Sequence, residues 1–267
     1  MARKKSVNPL GVWLHGASGR MGLELQQALA RRTDEFRLIG GSGRKFLADS
    51  LLTGKPATPD KLAHALSHGV DAVIDFSLPE GNAVLAKAIE LMKPEARPLV
   101  LVGTTGLDTK AVKAWTKIAA TMRGSSVFLA PNTSRGVLAT LEGALRVQAM
   151  LAGTAPDVAI VETHHIMKKD APSGTAKMLA AKLGAAGAVA ILSVRGGGIF
   201  GEHEIRFLGK HDEICITHRA YSRGLFAEGA LDLVEWQHAR RKKLAGKLVN
   251  VSDYANDLMM GIRTEPG

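Results

Sequence analysis

The amino-acid sequence predicts an α/β protein that opens with a doubly wound parallel sheet and continues into a second, α+β domain. Two observations predict this fold class. Short apolar runs alternate with helical segments as far as Ala130, and after Asn132 the alternation gives way to successive strands. Strands that alternate with helices pair in parallel through right-handed crossovers, so we expect a domain boundary near Asn132.

Apolar runs and helical spacing predict the individual elements. In the first part the predicted strands are Val12–His15, Phe36–Gly40, Val70–Asp75, Leu99–Val102 and Val127–Ala130. The helices between them begin near Met21 and cover Glu80–Met92 and Lys110–Met122. In the second part we expect helices at Gly136–Ala149, Ala176–Leu183 and Leu225–Trp236, a strand at Val158–Glu162, and strands from Ile191 to Ala220 with a hairpin at Gly209–Asp212.

Composition and charge narrow the class of protein. The 267 residues have 46% hydrophobic content and a mean hydropathy of +0.04, which is typical of a soluble globular protein. The net charge of +10 comes from scattered cations, and aromatic content is only 4%, which argues against nucleic acid as the partner. A small anion suits this balance better. No apolar run approaches a membrane span, so we expect no membrane partner and a cytoplasmic protein.

The single cysteine, Cys215, excludes a disulfide within the chain and a cysteine-based metal cage. It alternates with Ile214 and Ile216, so we interpret it as a packed strand residue. No activating motif surrounds it that would indicate a nucleophile.

A glycine-rich turn follows the first predicted strand and opens the first predicted helix. It reads Gly16-Ala-Ser-Gly19-Arg-Met-Gly22, with Ser18 in the place of the commoner central glycine. Glycines at such a turn let the backbone approach a pyrophosphate seated on the helix N-terminus. The turn therefore predicts a Rossmann-type dinucleotide site, with a tight structural turn as the alternative.

The end of the second strand predicts which dinucleotide is used. The segment Gly40-Gly-Ser-Gly-Arg-Lys45 lacks the acid that usually binds the adenine ribose, whereas Ser42, Arg44 and Lys45 could hold a ribose phosphate. NADPH is therefore the expected cofactor, with NADH as the alternative. Two solvated surface cations are the other interpretation. Gly103-Thr-Thr-Gly106 lies at the same sheet edge and either meets the nicotinamide or is an ordinary loop.

The segment Glu162–Ala176 carries the densest chemistry of the chain. His164 offers a proton donor that titrates near neutrality, and Lys168 could neutralise a carboxylate. Ser173, Gly174 and Thr175 present hydroxyl and N–H donors at a helix start, where negative charge is favoured. Adjacent side chains of an extended segment point to opposite sides, so His164 and His165 are not expected to chelate one metal, and we expect none here.

These residues resemble the dihydrodipicolinate reductase family over nearly the whole chain. The resemblance is carried by G-A-S-G-R-M-G at 16–22, D-F-S-x-P-E at 75–80, V-G-T-T-G at 102–106, A-P-N-x-S-x-G-V at 130–137, H-H-x-x-K-x-D-A-P-S-G-T-A at 164–176, V-R-G-G at 194–197 and G-E-H at 201–203. It implies reduction of the cyclic imine derived from 4-hydroxy-tetrahydrodipicolinate, a small dicarboxylate, in lysine and diaminopimelate biosynthesis. Thr133 departs from the family, where phenylalanine is common.

The resemblance also implies roles for individual residues. His164 would donate the proton, and His165, Lys168, Ser173, Gly174 and Thr175 would contact substrate. The residues implied to hold the cofactor are Gly16, Ser18, Gly19, Arg20, Met21, Phe76, Gly103, Thr105, Ala130 and Asn132. Because the family's C-terminal segment returns to the cofactor domain, we expect residues 1–131 with 239–267 to bind the dinucleotide. Residues 132–238 would bind substrate and form a homotetramer.

Two other classes of function remain open from the residues alone. One is another two-domain NADPH oxidoreductase acting on an aldehyde or a simple keto acid, for which thioester chemistry would need a nucleophilic cysteine. The other is a dinucleotide-sensing or nucleic-acid-binding protein without catalysis. The combination of His164, Lys168 and Ser173–Thr175 argues against the second class, because sensing requires no acid.

Overall fold

The computed structural model describes residues 8–43, 58–154, 156–184 and 189–264. Its strands, numbered along the chain, are β1 (Leu10–His15), β2 (Phe36–Ser42), β3 (Ala72–Asp75), β4 (Leu99–Val102), β5 (Val127–Leu129), β6 (Asp157–His164), β7 (Ala190–Arg195), β8 (Gly201–Leu208), β9 (Glu213–Ala220) and β10 (Leu248–Asn250). Its α-helices are α1 (Arg20–Arg31), α2 (Pro59–Leu66), α3 (Pro79–Leu91), α4 (Thr109–Ala120), α5 (Arg135–Met150), α6 (Gly174–Leu183), α7 (Gly224–Ala239), α8 (Arg241–Leu244) and α9 (Val251–Thr264).

The chain forms two compact units. One contains the residues up to Thr133 together with those from Phe226 onward, and the other is Ser134–Leu225. The sequence-based boundary lay two residues earlier on the outward crossing, at 131/132. On the return it lay thirteen residues later, at 239 instead of 226.

Ion pairs account for the earlier return. The buried guanidinium of Arg32, at the end of α1, contacts Asp232 at 2.9 Å and Glu235 at 3.0 Å on α7. Helix α7 therefore belongs mostly to the first unit. The sequence did not predict that acids on α7 pair with Arg32.

The first unit contains a six-stranded parallel sheet in the order β10-β5-β4-β3-β1-β2. Because β2 lies on one side of β1 and β3 on the other, the strand order reverses at β1, and loops diverge there at the carboxyl edge. The inner strands are buried on both faces, which explains their continuous apolar runs: Val73, Val100 and Leu101 are wholly buried. The doubly wound prediction is confirmed. Helix α2 and strand β10 were not predicted.

The second unit contains a four-stranded mixed sheet in the order β7-β6-β8-β9. Strands β6 and β7 are parallel, whereas β8 pairs antiparallel with both β6 and β9. Helices α5 and α6 cover one face through a core that includes Leu141, Leu179, Ile160 and Ile205. The predicted hairpin is present, since the Gly209 amide donates to the Asp212 carbonyl at 2.9 Å.

The structure corrects the interpretation of Cys215. This residue lies in β9 as expected, but it is exposed. Alternation along β9 places it with Thr217 and Arg219, opposite to the face that carries Ile214 and Ile216 toward α5 and α6. Apolar neighbours in sequence therefore did not imply a packed cysteine.

No helix within the described ranges is long and apolar enough to cross a membrane.

Candidate functional site

The glycine turn lies at the carboxyl edge of the first sheet. Gly16 adopts φ +87°, a backbone conformation that favours glycine, and a Cβ there would lie 2.7 Å from the carbonyl carbon of Phe76. A Cβ on Gly103 would lie 2.6 Å from the Phe76 ring. The structure thus brings Gly16, Phe76 and Gly103 together at the ends of three adjacent strands.

Helix α1 begins directly after this turn, at Arg20, with Gly19 as its N-cap residue. No acidic side chain lies in its first turn. The N–H groups of a first helical turn have no partner inside the helix, and the helix dipole favours an anion there. The arrangement of Gly19, Arg20 and Met21 therefore fits the pyrophosphate of a dinucleotide.

The loops at this edge are fixed by Asp75, a group whose role sequence reasoning missed. Its wholly buried carboxylate accepts hydrogen bonds from the Ser77 amide at 2.9 Å, Asn82 Nδ2 at 2.7 Å and Thr104 Oγ1 at 2.8 Å. These bonds join the loops after β3 and β4, which carry Phe76 and Gly103. An acid ending a buried apolar strand is the signal that could have revealed it.

The hypothesis that Ser42 binds a ribose phosphate does not fit the structure. His15 Nε2 lies 2.9 Å from the Gly81 carbonyl, which can only accept, so this nitrogen donates. The Ser42 hydroxyl lies 2.7 Å from His15 Nδ1 and accepts a hydrogen bond from Trp13 Nε1 at 3.1 Å. The Ser42 hydroxyl is thus hydrogen-bonded to two side chains within the protein. Arg44 and Lys45 lie outside the described residues.

The remaining predicted cofactor residues occupy the same edge with different exposure. Thr105 is exposed, Asn132 is half-buried and Ala130 is wholly buried, so Ala130 can offer a ligand little beyond its backbone. Ser18 lies against Gly43, where a Cβ would be 2.7 Å from its hydroxyl. The departing residue Thr133 is buried, and its hydroxyl donates to the Phe226 carbonyl at 2.6 Å.

In the second unit, a row of polar side chains crosses the covered face of the sheet. Pairing places Glu162 of β6 opposite His203 of β8, and His203 opposite His218 of β9. The next row toward the sheet centre is apolar, with Ile160 opposite Ile205. We call Glu162, His203 and His218 the polar row. It marks the place where the hydrophobic core of this unit ends.

Glu162 is the most heavily bonded member of the polar row. Its Oε1 accepts from Arg195 Nη2 at 2.7 Å and from the Ser173 amide at 3.2 Å, and its Oε2 pairs with His164 Nδ1. Burial by itself raises the pKa of this carboxyl, but hydrogen bonds from Arg195, Ser193 and His164 outweigh it and hold the pKa at about 2. Glu162 is therefore ionised throughout the physiological range.

His164 is buried beside this carboxylate, two residues farther along the same strand face. Since Glu162 is ionised, Nδ1 of His164 carries a proton toward it, and Nε2 is left for a ligand. Burial lowers the pKa of His164, and although Glu162 raises it, Lys168 and Arg195 lower it further. A Cβ on Gly201 would lie 3.0 Å from Nε2, so the space beside this nitrogen depends on a glycine.

Ser173 connects the polar row to α6. It is the N-cap residue of this helix, and its Oγ accepts from the Ala176 amide at 3.1 Å. The same Oγ lies 3.1 Å from His203 Nε2. The helix begins two residues earlier than predicted, at Gly174.

Lys168 and His165 lie on the loop between β6 and α6. The Lys168 ammonium contacts both Asp170 oxygens, at 2.8 and 3.0 Å. His165 is half-buried, unlike its neighbour His164, and its amide donates to the Ile199 carbonyl at 2.7 Å. The adjacent histidines thus occupy different environments. Arg195 reaches the same loop, since Nη2 also donates to the Asp170 carbonyl at 2.6 Å.

The structure places together three groups that could ligate a metal: ligand atoms of Glu162, His164 and His203 lie within 4.8 Å of one another. Both Glu162 oxygens already accept hydrogen bonds, however, and the Arg195 guanidinium puts a positive charge 2.7 Å from one of them. A cation would have to displace or face that charge. We interpret the cluster as a hydrogen-bonded network, and the absence of a catalytic metal stays a prediction.

Comparison with known protein families shows which family the chain belongs to. The family model described as dihydrodipicolinate reductase, N-terminus, matches residues 10–133, and the one described as dihydrodipicolinate reductase, C-terminus, matches residues 136–253. The chain belongs to the dihydrodipicolinate reductase family. Both halves of the resemblance predicted from the motifs are thereby confirmed, and membership identifies an NAD(P)H-dependent oxidoreductase.

Curated relatives and solved structures agree with membership in the reductase family. A 4-hydroxy-tetrahydrodipicolinate reductase of Xanthomonas campestris pv. campestris (strain B100) is 36% identical over 245 residues, covering 91% of this chain and 94% of the relative. One from Stenotrophomonas maltophilia (strain R551-3) is 38% identical over 237 residues, covering 84% and 90%. The dipicolinate-bound dihydrodipicolinate reductase from Paenisporosarcina sp. TG-14 has a TM-score of 0.67 at 23% identity, covering 91% of this chain and 98% of that one, which shows the shared fold.

Proposed function

We propose that this chain reduces 4-hydroxy-tetrahydrodipicolinate, the compound that its curated relatives are named for reducing, to tetrahydrodipicolinate with a reduced nicotinamide cofactor. The observation that carries the proposal is the buried Glu162–His164 pair at the end of β6, joined through Ser173 to the N-terminus of α6. It combines a proton donor with an anion-binding helix start, and reduction of a dicarboxylate imine needs both in addition to a hydride donor.

The first unit would hold the cofactor. Gly16, Ser18, Gly19, Arg20 and Met21 would bind the pyrophosphate at the start of α1. Phe76, Gly103, Thr105, Ala130 and Asn132 would surround the nicotinamide, which supplies the hydride when bound. The Asp75 hydrogen bonds support this assignment, because they keep the loops that carry Phe76 and Gly103 in one conformation.

The second unit would hold the substrate carboxylates. Ser173, Gly174 and Thr175 offer donors at the N-terminus of α6, where the helix dipole adds to the attraction. Lys168 would move from Asp170 to a substrate carboxylate, exchanging one exposed ion pair for another. His165 would contact substrate from the same loop.

His164 would supply the proton. Loss of the hydroxyl as water leaves a ring double bond conjugated with the imine. Hydride addition to the carbon that carried the hydroxyl then moves electrons toward the ring nitrogen and leaves an enamine, and the carbon next to the site of hydride addition takes a proton from His164 Nε2. Two negative carboxylates nearby would raise the depressed pKa of His164 and favour its protonated form. Glu162, ionised at any pH well above 2, would hold the imidazolium in place.

Cys215 gives no support to thioester chemistry. It is exposed on the sheet face opposite to the polar row, whereas His164 is buried on the covered face.

NADPH is the proposed preferred cofactor, because the segment after β2 contains Arg44 and Lys45 and no acid. The double substitution Arg44→Ala/Lys45→Ala should lower kcat/KM for NADPH and leave that for NADH nearly unchanged. Equal kcat/KM for both cofactors in the unmodified protein would contradict this preference.

A homotetramer formed through the second unit is also proposed. The sheet face opposite to α5 and α6 exposes Leu192 and Val194 by 55% and 48%. A strip of aliphatic side chains on a sheet is costly to leave in water and suits a partner subunit. Light scattering should give four times the mass of the chain, and Val194→Lys should lower it. A monomer at micromolar concentration would exclude the tetramer.

The activity is tested by oxidation of NADPH with substrate freshly made from pyruvate and aspartate semialdehyde. We expect turnover by the unmodified protein and a loss of about a hundredfold or more in kcat for His164→Gln, since general acids contribute on that scale. Cofactor affinity should change little. Lys169→Gln, an exposed neighbour, is the control. Normal turnover by His164→Gln would remove His164 as the acid, and no turnover by the unmodified protein would reject the proposed reaction.

A further inference from the structure

Ser173 Oγ has two neighbours inside the protein. It accepts a hydrogen bond from the Ala176 amide at 3.1 Å, as an N-cap residue does, and it lies 3.1 Å from Nε2 of His203. Both residues are buried, with 2% and 5% exposure for Ser173 and His203. The question is which of the two donates to the other, because a hydroxyl has only one proton to give.

Two arrangements satisfy the contact between Ser173 and His203. In one, His203 Nε2–H donates to Ser173 Oγ, which then accepts twice and keeps its own proton for a ligand. In the other, the Ser173 hydroxyl donates to an unprotonated Nε2, and its proton is not available to a ligand. The tautomer of His203 therefore decides what Ser173 can offer to a substrate.

Burial makes the ring of His203 neutral, so one of its two nitrogens carries a single proton. Burial lowers the pKa of His203 to about 4, and repulsion from His164 acts in the same direction. Near neutral pH the protein thus contains one tautomer or the other, without the doubly protonated ring that would make both nitrogens donors.

The second nitrogen of His203 distinguishes the two tautomers. Nδ1 is buried and has no hydrogen-bond partner among the described residues. If the proton were on Nδ1, a buried N–H would be left unsatisfied, a situation that native structures rarely tolerate. If the proton is on Nε2, it is satisfied by Ser173 Oγ, and only a lone pair on Nδ1 lacks a partner.

We propose that His203 is a positioning residue that donates Nε2–H to Ser173 Oγ, so that the Ser173 hydroxyl proton is left for a carboxylate of the substrate. The inference rests on the proposed function and deepens it. Without His203, the Ser173 hydroxyl would be free to rotate its proton away from the ligand. With it, both lone-pair directions of Oγ are occupied by donors and the proton has one direction left.

The backbone of Ser173 is held as firmly as its side chain. Its amide donates to Glu162 Oε1 at 3.2 Å, and Glu162 is itself fixed by Arg195 and His164. Glu162 and His203 are neighbours in the polar row, so one row of the sheet orients both the proton donor His164 and the anion-binding group Ser173. Their geometry relative to each other is therefore set by strand pairing.

The direct test is the tautomer of His203 in the unmodified protein saturated with reduced cofactor. Nitrogen-15 spectra of the histidine side chains, with His203 assigned from the spectrum of His203→Gln, distinguish a protonated Nε2 from a protonated Nδ1. Protonated Nε2 is the expected result, and protonated Nδ1 overturns the inference. The measurement needs no activity, so it stands apart from a failure of the proposed reaction.

The functional test compares His203→Leu with His203→Gln, whose side-chain amide can again donate toward Ser173. We expect His203→Leu to raise the substrate KM and the inhibition constant of pyridine-2,6-dicarboxylate by about tenfold, as loss of one oriented donor to a charged group does. The dissociation constant for NADPH should not change, and kcat should change less than KM. His203→Gln should recover part of the affinity.

A double-mutant cycle with Ser173→Ala excludes a general structural effect. If His203 acts through the Ser173 hydroxyl, His203→Leu should cause little further loss of dicarboxylate affinity in the Ser173→Ala background. The same loss in both backgrounds, or unchanged affinity in His203→Leu alone, would overturn the proposed role. Loss of NADPH binding in His203→Leu would overturn it too, because the effect would then not be confined to Ser173.

Discussion

The position of the His164 ring depends on the groups next to its two nitrogens. A Cβ on Gly201 would lie 3.0 Å from its Nε2, which is tighter than ordinary van der Waals contact. Since Nδ1 is held by Glu162, the ring cannot turn freely to escape a larger neighbour. The small residue at the start of β8 therefore leaves the space that the proposed role of His164 as an acid requires.

The substitution Gly201→Ala should reduce turnover by displacing the imidazole a few tenths of an ångström. We expect kcat to fall roughly tenfold, because small displacements of a catalytic group are costly, while the dissociation constant for NADPH stays unchanged. Gly196→Ala is the matched control, since nothing lies within 4 Å of a Cβ at that position. Equal kcat for both variants would show that a Cβ at position 201 does not displace the His164 imidazole.

Lys168 is expected to contribute to both binding and orientation of the substrate. Lys168→Ala should raise KM and also lower kcat, because a lost charge pair weakens binding and loosens the reacting geometry. Asp170→Asn provides the comparison: removing the carboxylate that Lys168 contacts at 2.8 Å should lower KM or leave it unchanged. Steady-state kinetics with varied substrate measures both. A raised KM in Asp170→Asn would argue that Lys168 needs Asp170 to be placed correctly.

Residue types alone indicated part of this site. His164 and Ser173 could be singled out because an imidazole that titrates near neutrality and a serine before a helix have recognisable chemistry. Glu162 opened the same segment, but nothing in the sequence revealed that its carboxylate turns back to His164 and Ser173. Arg195 and His203 lie more than thirty residues after Glu162 in the sequence, and only strand pairing brings them to β6.

At the scale of elements, α1 and α7 are joined by a buried cation. The Arg32 side chain is 5% exposed and contacts Glu35, Asp232 and Glu235. Its positive charge is compensated by Glu35, in the turn after α1, and by two acids of α7 that are far away in sequence. Removing one partner of a buried ion-pair network leaves the others uncompensated, and that costs more than the pairs contribute when intact.

Arg32→Met should therefore lower the free energy of unfolding of the first unit by about 3 kcal/mol. Arg31→Met is the matched control, because Arg31 is 57% exposed and pairs only at the surface with Glu228, so its loss should cost at most about 1 kcal/mol. Urea denaturation followed by tryptophan fluorescence reports this unit, which contains Trp13, Trp115 and Trp236. Similar losses for both variants would contradict the importance of burial.

Elements with a strong apolar pattern of their own were predictable even when short, whereas a short element without such a pattern was not. Strand β4 was predicted with the bounds it has, Leu99–Val102, because four consecutive apolar residues suit a strand buried on both faces. Strand β10 has only three residues, Leu248–Asn250, and is a strand because β5 offers an open edge to it. Such an element depends on its partner more than on its own composition.

At the scale of the whole molecule, buried histidines make stability depend on pH. The pKa of His203 is lowered to about 4 from 6.5, so the unfolded chain binds a proton there more readily than the folded one. The free energy of unfolding must then fall as pH drops from 6.5 to 4. Burial likewise lowers the pKa of His164 and His218, which adds to the effect.

Between pH 6.5 and pH 4, the free energy of unfolding of the unmodified protein should fall by about 3 kcal/mol more than that of His203→Leu. Amide hydrogen exchange of β8 at a series of pH values measures this difference in the second unit. Tryptophan fluorescence, which reports the first unit, should show the same acid response in both proteins. Identical pH dependence of β8 exchange would contradict a neutral buried His203.

The sequence alone determined the fold class, the alternation of elements in the first unit and the family, and it singled out the segment that contains the proposed proton donor. These are local properties: periodicity, turn glycines and a contiguous motif are all present within short stretches of chain. Tertiary structure alone decided that Ser42 is committed to His15, that α7 returns to the first unit, and that Glu162, Arg195 and His203 surround His164 and Ser173. The reason is physical, since strand register and long-range ion pairs join residues whose spacing in sequence carries no trace of the contact.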